Sequence, residues 1–279
     1  MFYITLSGAP PFFMACRGEF TTFAQNQSTM NPLTEHRSIR KYKDQPVPEP
    51  LLNEILTAGT RASTTGNMQV YSMVVTRNEE MKERLSPLHF NQPMIKEAPV
   101  VITFCADFNR FNLWCEQRDA HPGYDNFLSF MTAAIDALLA AQNVCNAAEE
   151  KGLGICYLGT TTYMAEQIIE ALELPRGVVP VTTVTMGYPA EMPPLTDRLP
   201  LEAVVHHETY RPYQPEDIDK LYAHKEGLEE NLQFIRENNK ETLAQVFTDV
   251  RYKKADNLNF SRRLLDVLKK QGFMNHDEE

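Results

Sequence analysis

A long helix predicted from about Asn126 to Lys151 is the feature of this sequence that most constrains its fold. Apolar residues recur along it with the i, i+3, i+4 spacing of a helical face, and alanine fills many other positions. A helix that is apolar on several faces is usually buried on more than one side. We therefore expect a central helix that also suits a subunit interface. The residues that set the spacing are Met131, Ala134, Ile135, Leu138, Leu139 and Cys145.

Shorter apolar runs on both sides of this helix predict a sheet. The run 98–105 is apolar throughout, which is typical of a strand in the interior of a sheet. Strands alternating with helices favour an α/β or α+β sandwich. Further strands are predicted at 70–76, 155–158 and 181–186, with helices from Pro48, over 78–86 and near 163–174, and irregular chain over 107–125.

The sequence of the last third of the chain predicts extended segments followed by helices. Prolines at 193, 194 and 200 force an extended passage, and residues 206–210 are expected to form an extended edge piece. Two amphipathic helices are predicted near 216–236 and 257–271.

Composition narrows the classes of function. The 279 residues include 27 Lys and Arg against 37 Asp and Glu, a net charge of −10, which argues against nucleic acid as the main partner. No apolar run approaches the roughly 18 residues that a membrane span needs, so no membrane association is expected. The cysteine count is five, without a CxxC pair, which predicts buried free thiols in a reducing compartment, the cytoplasm.

The first 29 residues differ from the rest of the sequence. They are fairly apolar, but they lack the cationic start of a secretion signal and are interrupted by Gly8 and two prolines. We expect residues 1–29 to be a loose N-terminal extension and residues 30–279 to form one domain with a helical tail.

Two motifs resemble known binding sites, but their context does not predict such a site. The stretch GLGICYLG at 152–159 follows a helix and precedes a strand, whereas a dinucleotide-binding loop needs the opposite order. The run His206-His207-Glu208 does not predict a metal, because neighbouring residues of an extended strand point to opposite faces. No metal site is expected.

Three weaker features could bind an anion. Residues 36–41 (HRSIRK) are the densest basic cluster of an acidic chain and could be either a solvated patch or donors to a phosphate. The turn 63–67 offers hydroxyls and backbone amides, and Arg198 lies in a proline-rich loop. Each signal alone leaves both interpretations open.

Together and in this order, these segments resemble the FMN-dependent nitroreductase family, specifically its oxygen-insensitive NADPH nitroreductases and flavin reductases. The resemblance runs from about His36 to Tyr213 and more loosely to Gly272. It implies an α+β fold with a central, mainly antiparallel sheet flanked by helices, and an intertwined homodimer with FMN between the subunits. The segments that carry it are HRSIRKYKDQPVP (36–48), RASTTGNMQVYS (61–72), VVITFCADFNR (100–110), AEEKGLGICYLG (148–159), VTMGYPAEMPPLTDRLP (184–200) and VVHHETYRPY (204–213).

The resemblance also implies which residues bind FMN. It places Arg37, Ser38 and Arg198 near the phosphate and ribityl chain and Arg40 near the N1/C2=O edge of the ring, and it implies that a backbone amide of the segment 157–160 meets N5. Thr160 stands where relatives usually have glycine, and Thr196 where they often have lysine. The implied FMN-binding residues are His36, Arg37, Ser38, Arg40, Thr64, Thr65, Asn67, Gln69, Gln92, Tyr157, Leu158, Gly159, Thr160 and Arg198.

The implied activity is an NAD(P)H-dependent, ping-pong, two-electron reduction of a small-molecule acceptor such as a nitroaromatic compound or a quinone. The cofactor carries the chemistry, so no catalytic side chain is assigned. Arg236 is a candidate for recognition of the 2′-phosphate of NADPH. Two alternatives remain open: a flavin reductase that supplies reduced FMN, which the threonines at 160 and 196 keep possible, and a non-catalytic flavin-binding protein.

Overall fold

A computed structural model describes residues 31–276. The expected N-terminal extension and Cys16 lie outside these residues. Within them, four cysteines (105, 115, 145 and 156) are buried and free, as predicted. Burial raises the pKa of the Cys105 and Cys145 thiols to about 12, so both are inert.

A four-stranded antiparallel sheet forms the centre of the molecule, in the strand order β1-β2-β4-β3. Every residue of β2 is buried, which confirms the predicted interior strand. Strand β4 is longer than predicted, because Pro180 sits at a register shift, where a residue without an N–H is tolerated. The strands are β1 Tyr71–Thr76, β2 Val100–Asp107, β3 Gly154–Leu158 and β4 Val178–Gly187.

Helices flank this sheet, so the α+β class is confirmed. They are α1 Glu49–Gly59, α2 Glu79–Leu85, α3 Met94–Glu97, α4 Asn109–Glu116, α5 Phe127–Glu150, α6 Ala165–Ala171, α7 Pro215–Gly227, α8 Glu229–Glu237, α9 Leu243–Val246 and α10 Lys254–Lys270.

The predicted central helix is α5. Its small side chains let it lie close to the sheet, and they share the main core with β2, β3 and β4. The opposite side of the helix exposes a row of large apolar side chains. The buried row includes Ala137, Ala140, Ala141, Val144, Cys145 and Ala148, and the exposed row is Leu128, Met131, Ile135, Leu138 and Leu139.

By length and hydropathy alone, α5 could cross a membrane, and no other described helix could. The expectation that no segment is apolar enough was therefore wrong by this measure, because alanines raise the mean hydropathy of the helix. Half of the relevant window is buried inside the protein, as in the core helix of a globular domain.

The basic segment extends the sheet at its β3 edge. Ser38 forms a parallel bridge with Ile155, and the Ile39 amide donates to the Ile155 carbonyl over 2.8 Å. Tyr42 then pairs with Pro189, just beyond β4. The backbone of residues 38–42 is thus fixed against the sheet.

Three predicted regions differ from the structure. Residues 109–116, expected to be irregular, form α4, which is held in place by Tyr124: Phe108 stacks on this ring and Phe111 meets it edge-on. Residues 206–210 are not a strand, because Glu208 takes the left-handed conformation (φ 64°) and turns the chain. The first tail helix is divided at Leu228, whose backbone is extended, into α7 and α8.

We predict that Gly154→Ala lowers stability by about 1–3 kcal/mol, the typical cost of overpacking. A Cβ at Gly154 would lie 2.4 Å from Cγ1 of Ile39, the residue that joins the basic segment to β3. Urea unfolding of Gly123→Ala, where a Cβ meets nothing within 4 Å, is the control and should shift the midpoint little. Equal midpoints for the two variants would contradict this packing.

Candidate functional site

The basic segment is fixed by a buried carboxylate at the C-terminal end of α5. Glu149 accepts a hydrogen bond from the Arg37 backbone, and its Oε1 lies 2.7 Å from Nδ1 of His36. Burial raises the pKa of Glu149, and the contact with His36 partly offsets this shift. The Arg37 guanidinium donates to the Glu35 carbonyl (2.8 Å), whereas Arg40 is exposed to solvent.

The end of β3 lies beside this segment, through the pairing of residues 38 and 39 with Ile155. The Tyr157 hydroxyl donates to Oε1 of Gln142 on α5 (3.5 Å), and burial raises the pKa of Tyr157. A Cβ at Gly159 would meet nothing within 4 Å, so the backbone there is open. We call residues 36–40 and 157–160 the first group.

The turn 64–69 is held in a second place, beside the middle of α5. The Thr65 amide and hydroxyl both donate to Oδ1 of the buried Asp136, over 2.9 and 3.3 Å. Gly66, Asn67 and Gln69 all have a backbone φ near +56°, in the left-handed region. Residues other than glycine, asparagine and aspartate adopt this conformation only at a cost in free energy.

Arg110 holds the same turn from the other side. Its guanidinium donates to the Gln69 and Tyr71 carbonyls. The turn borders an open cavity of about 400 Å³ that Thr64, Asn67 and Gln69 line. We call residues 64–69 the second group.

Gln92 is tied to the first group through His89. The Gln92 amide donates to the His89 carbonyl (3.2 Å), and Nδ1 of His89 lies 2.8 Å from the Thr160 hydroxyl. His89 is fully buried, and this burial lowers its pKa to about 4, so the ring is neutral at physiological pH. The predicted site residues Gln92 and Thr160 are therefore linked through the neutral His89, which hydrogen-bonds to each of them.

Arg198 is not brought into contact with the first group by the described part of the chain. It is exposed, and its guanidinium donates to the Thr196 and Asp197 carbonyls of its own loop, over 3.4 and 2.9 Å. That loop does begin beside the basic segment, where Lys41 pairs with Glu191 at 2.9 Å. Arg236 lies on α8 and pairs with Glu229 at 2.5 Å.

The two groups are far apart within one chain. Asp136 and Glu149 are thirteen residues apart on α5, which corresponds to roughly 20 Å along a helix at 1.5 Å per residue. One copy of the chain therefore presents two separate polar groups.

Sequence reasoning missed the residues that position these groups. Asp136 and Glu149 interrupt buried, alanine-rich positions of α5, and an acidic residue at such a position signals a specific partner. Arg110 and His89 gave no such signal. Among residues 31–276, no cluster of three or more His, Cys, Asp or Glu side chains could hold a metal ion.

Comparison with known proteins decides the family. A model of the nitroreductase family matches residues 33–188, more than half of the chain. The chain belongs to the nitroreductase family. Among curated members of that family, an FMN reductase [NAD(P)H] of Bacillus subtilis is 35% identical over 252 residues, covering 86% of this chain and 96% of that protein. An oxygen-insensitive NADPH nitroreductase of Salmonella typhimurium is 35% identical over 184 residues, covering 66% of this chain and 75% of that protein.

Solved structures agree with this assignment to the nitroreductase family. A Bacteroides fragilis protein classed as an oxidoreductase is 60% identical, with a TM-score of 0.87, and the match covers 88% of this chain and all of that one. The NfrA1 nitroreductase of Bacillus subtilis is 30% identical, with a TM-score of 0.77, and the match covers 88% of this chain and 98% of that one.

We predict that His89 makes the stability of this nitroreductase depend on pH. Its folded pKa of about 4 lies below the ordinary 6.5, so the unfolded chain binds the proton more readily. The stability contributed by His89 is complete above about pH 6.5 and decreases by about 3 kcal/mol as the pH falls to about 4.

His89→Asn is the control, because asparagine can still hydrogen-bond Thr160 but does not titrate. Urea unfolding between pH 7 and 4 should show a smaller loss of stability for the variant than for the wild type. The same loss for both proteins would mean that His89 is not held neutral by burial.

Proposed function

We propose that this protein is an FMN-dependent NAD(P)H oxidoreductase that reduces nitroaromatic compounds, quinones or related small acceptors by two electrons in a ping-pong cycle. The observation that carries the proposal is the pair of polar groups, each fixed to α5 by a buried carboxylate. The curated relatives named FMN reductase and NADPH nitroreductase support the same chemistry.

The donor set of the chain fits FMN. Arg37 and Ser38 supply guanidinium and hydroxyl donors of the kind that bind a phosphate. Arg198 is the second phosphate arginine that the resemblance implies, although its guanidinium donates within its own loop. In the second group, Thr64, Asn67 and Gln69 border an open cavity with hydroxyl and amide groups. The loop 157–160 offers open backbone at Gly159 to the flavin ring.

When bound, FMN supplies the hydride and electron transfer between NAD(P)H and the acceptor. The residues of the chain bind and orient it, and no side chain acts as a nucleophile. Arg40 provides a fixed positive charge for the N1/C2=O edge of the ring, where reduction places negative charge. His36, held by Glu149, keeps the basic segment in place for these contacts.

We further propose that the enzyme is a homodimer whose sites are shared between subunits. The resemblance to the nitroreductase family implies such a site, and the exposed apolar row of α5, from Leu128 to Leu139, is the surface proposed to join two copies. The proposed site takes the first group from one subunit and the second group from the other, since the two groups of one chain lie roughly 20 Å apart along α5.

The function is tested with the purified protein. It should be yellow, bleach when NADPH or NADH is added without oxygen, and regain colour when a nitroarene or a quinone is supplied. Comparison of the two nicotinamides gives the donor preference. A colourless protein that cannot be reconstituted with FMN would overturn the proposal.

A flavin reductase is the second candidate, because two Bacillus subtilis relatives are named FMN reductases. Thr160 and Thr196 favour it, since they change the loop near the ring and remove a cation near the phosphate. Steady-state rates with nitrofurazone and with free FMN separate the two: a clear preference for free FMN makes the protein a flavin reductase. If NADPH or NADH bleaches the protein and no acceptor restores the colour faster than buffer alone does, a non-catalytic flavin-binding protein would be favoured.

The cellular setting proposed is the cytoplasm, without nucleic acid or membrane as a partner. The acidic net charge and the buried reduced thiols support it.

The shared site predicts complementation between subunits. Arg37→Glu damages the first group and Thr64→Glu the second, and each homodimer should bind FMN at least tenfold more weakly than wild type. A heterodimer of the two variants contains one intact site. After purification through two different tags, it should bind about one FMN per dimer with wild-type affinity, measured by titration.

The control is a heterodimer of wild type with the double variant Arg37→Glu, Thr64→Glu. If the sites are shared, both of its sites carry one damaged group, and tight binding should be lost. If each chain instead builds its own site, the control binds one FMN and the mixed heterodimer binds none tightly. That reversed result would overturn the shared site.

A further inference from the structure

Three aromatic rings from distant parts of the chain meet beside the first group. Tyr163 and Phe260 stack with their centroids 4.3 Å apart and their planes at 13°. Phe90 lies 6.4 Å from Tyr163 and 6.5 Å from Phe260. These residues belong to the loop after α2, the turn before α6, and α10.

Phe90 has an unfavourable backbone conformation. Its φ of 57° and ψ of 34° are left-handed, which is unfavourable for a bulky side chain. Burial in the core does not account for this conformation, because the residue is 51% exposed. Strained residues of this kind cluster at ligand sites, where the surrounding structure fixes them.

The rings are fixed to segments that are proposed to contact the flavin. The Tyr163 amide donates to the Thr160 carbonyl (3.1 Å), and Phe90 follows His89, whose ring contacts the Thr160 hydroxyl. Gln92 lies two residues beyond Phe90. The exposed Phe90 ring thus lies in the same loop as a residue that is proposed to contact the flavin.

We propose that Phe90, Tyr163 and Phe260 form an aromatic subsite that binds the planar ring of the electron acceptor. This inference rests on the proposed function and adds the residues that select the acceptor. Aromatic rings attract one another in offset-stacked or edge-to-face arrangements, so the subsite favours flat nitroarenes and quinones over acceptors of other shapes. Its action is on binding, and no bond is made or broken there.

Phe90→Gly is the decisive variant, because glycine adopts the left-handed conformation freely and removes only the ring. It should be at least as stable as wild type in urea unfolding, while the Kd of nitrofurazone for the oxidised holoenzyme, measured by calorimetry without NADPH, increases about fivefold to tenfold. Phe260→Leu should weaken binding similarly. With ferricyanide, an acceptor that is not planar, kcat/KM should stay within about twofold of wild type.

Tyr252→Leu is the matched control, since it removes an exposed ring elsewhere in the tail. It should leave nitrofurazone binding unchanged. Wild-type nitrofurazone affinity in both Phe90→Gly and Phe260→Leu, with FMN bound and ferricyanide reduced normally, would overturn the subsite and leave the proposed function standing. Slower reduction by NADPH with unchanged nitrofurazone binding would assign the rings to the nicotinamide and also overturn it. A wild-type protein without FMN would overturn both proposals.

Discussion

The arrangement of the candidate site depends on two buried carboxylates of one helix. Asp136 and Glu149 both lie on the buried side of α5, and each accepts hydrogen bonds from a segment that carries predicted flavin ligands. A buried carboxylate without partners is costly, so the helix and the segment stabilise each other. The polar groups are therefore fixed by the core, although their own sequences are those of surface turns.

The same helix sets the spacing of the two groups and exposes an apolar surface. Its alanine side must be small to approach the sheet, and its other side keeps large apolar residues exposed. An exposed row of this kind is typical of an interface between subunits. In the proposed dimer, a change in how the two copies pack would also change how the groups of the two subunits meet, so assembly and cofactor binding would be coupled.

Local patterns predicted most of the fold and few of the contacts in the site. The strands β1 to β4 and the central helix follow from periodicity, whereas α4 was missed because its aromatic residues pack against Tyr124 rather than along one helical stripe. The resemblance supplied the site residues. It did not supply Glu149, which is 113 residues from His36, or Arg110, because a contact between distant residues has no local signature.

Thr160 occupies a position at which the resemblance to the family leads us to expect glycine. Its hydroxyl contacts His89, and burial keeps that ring neutral. The loop beside the proposed ring site thus carries no charge, and the rings of Phe90 and Tyr163 continue this neutral surface. The cations of residues 37–41 lie beside this loop, through the pairing of residues 38 and 39 with β3. In the proposed site, these cations are assigned to the phosphate and to the N1/C2=O edge of the ring, and the neutral rings of Phe90 and Tyr163 are left for a flat acceptor.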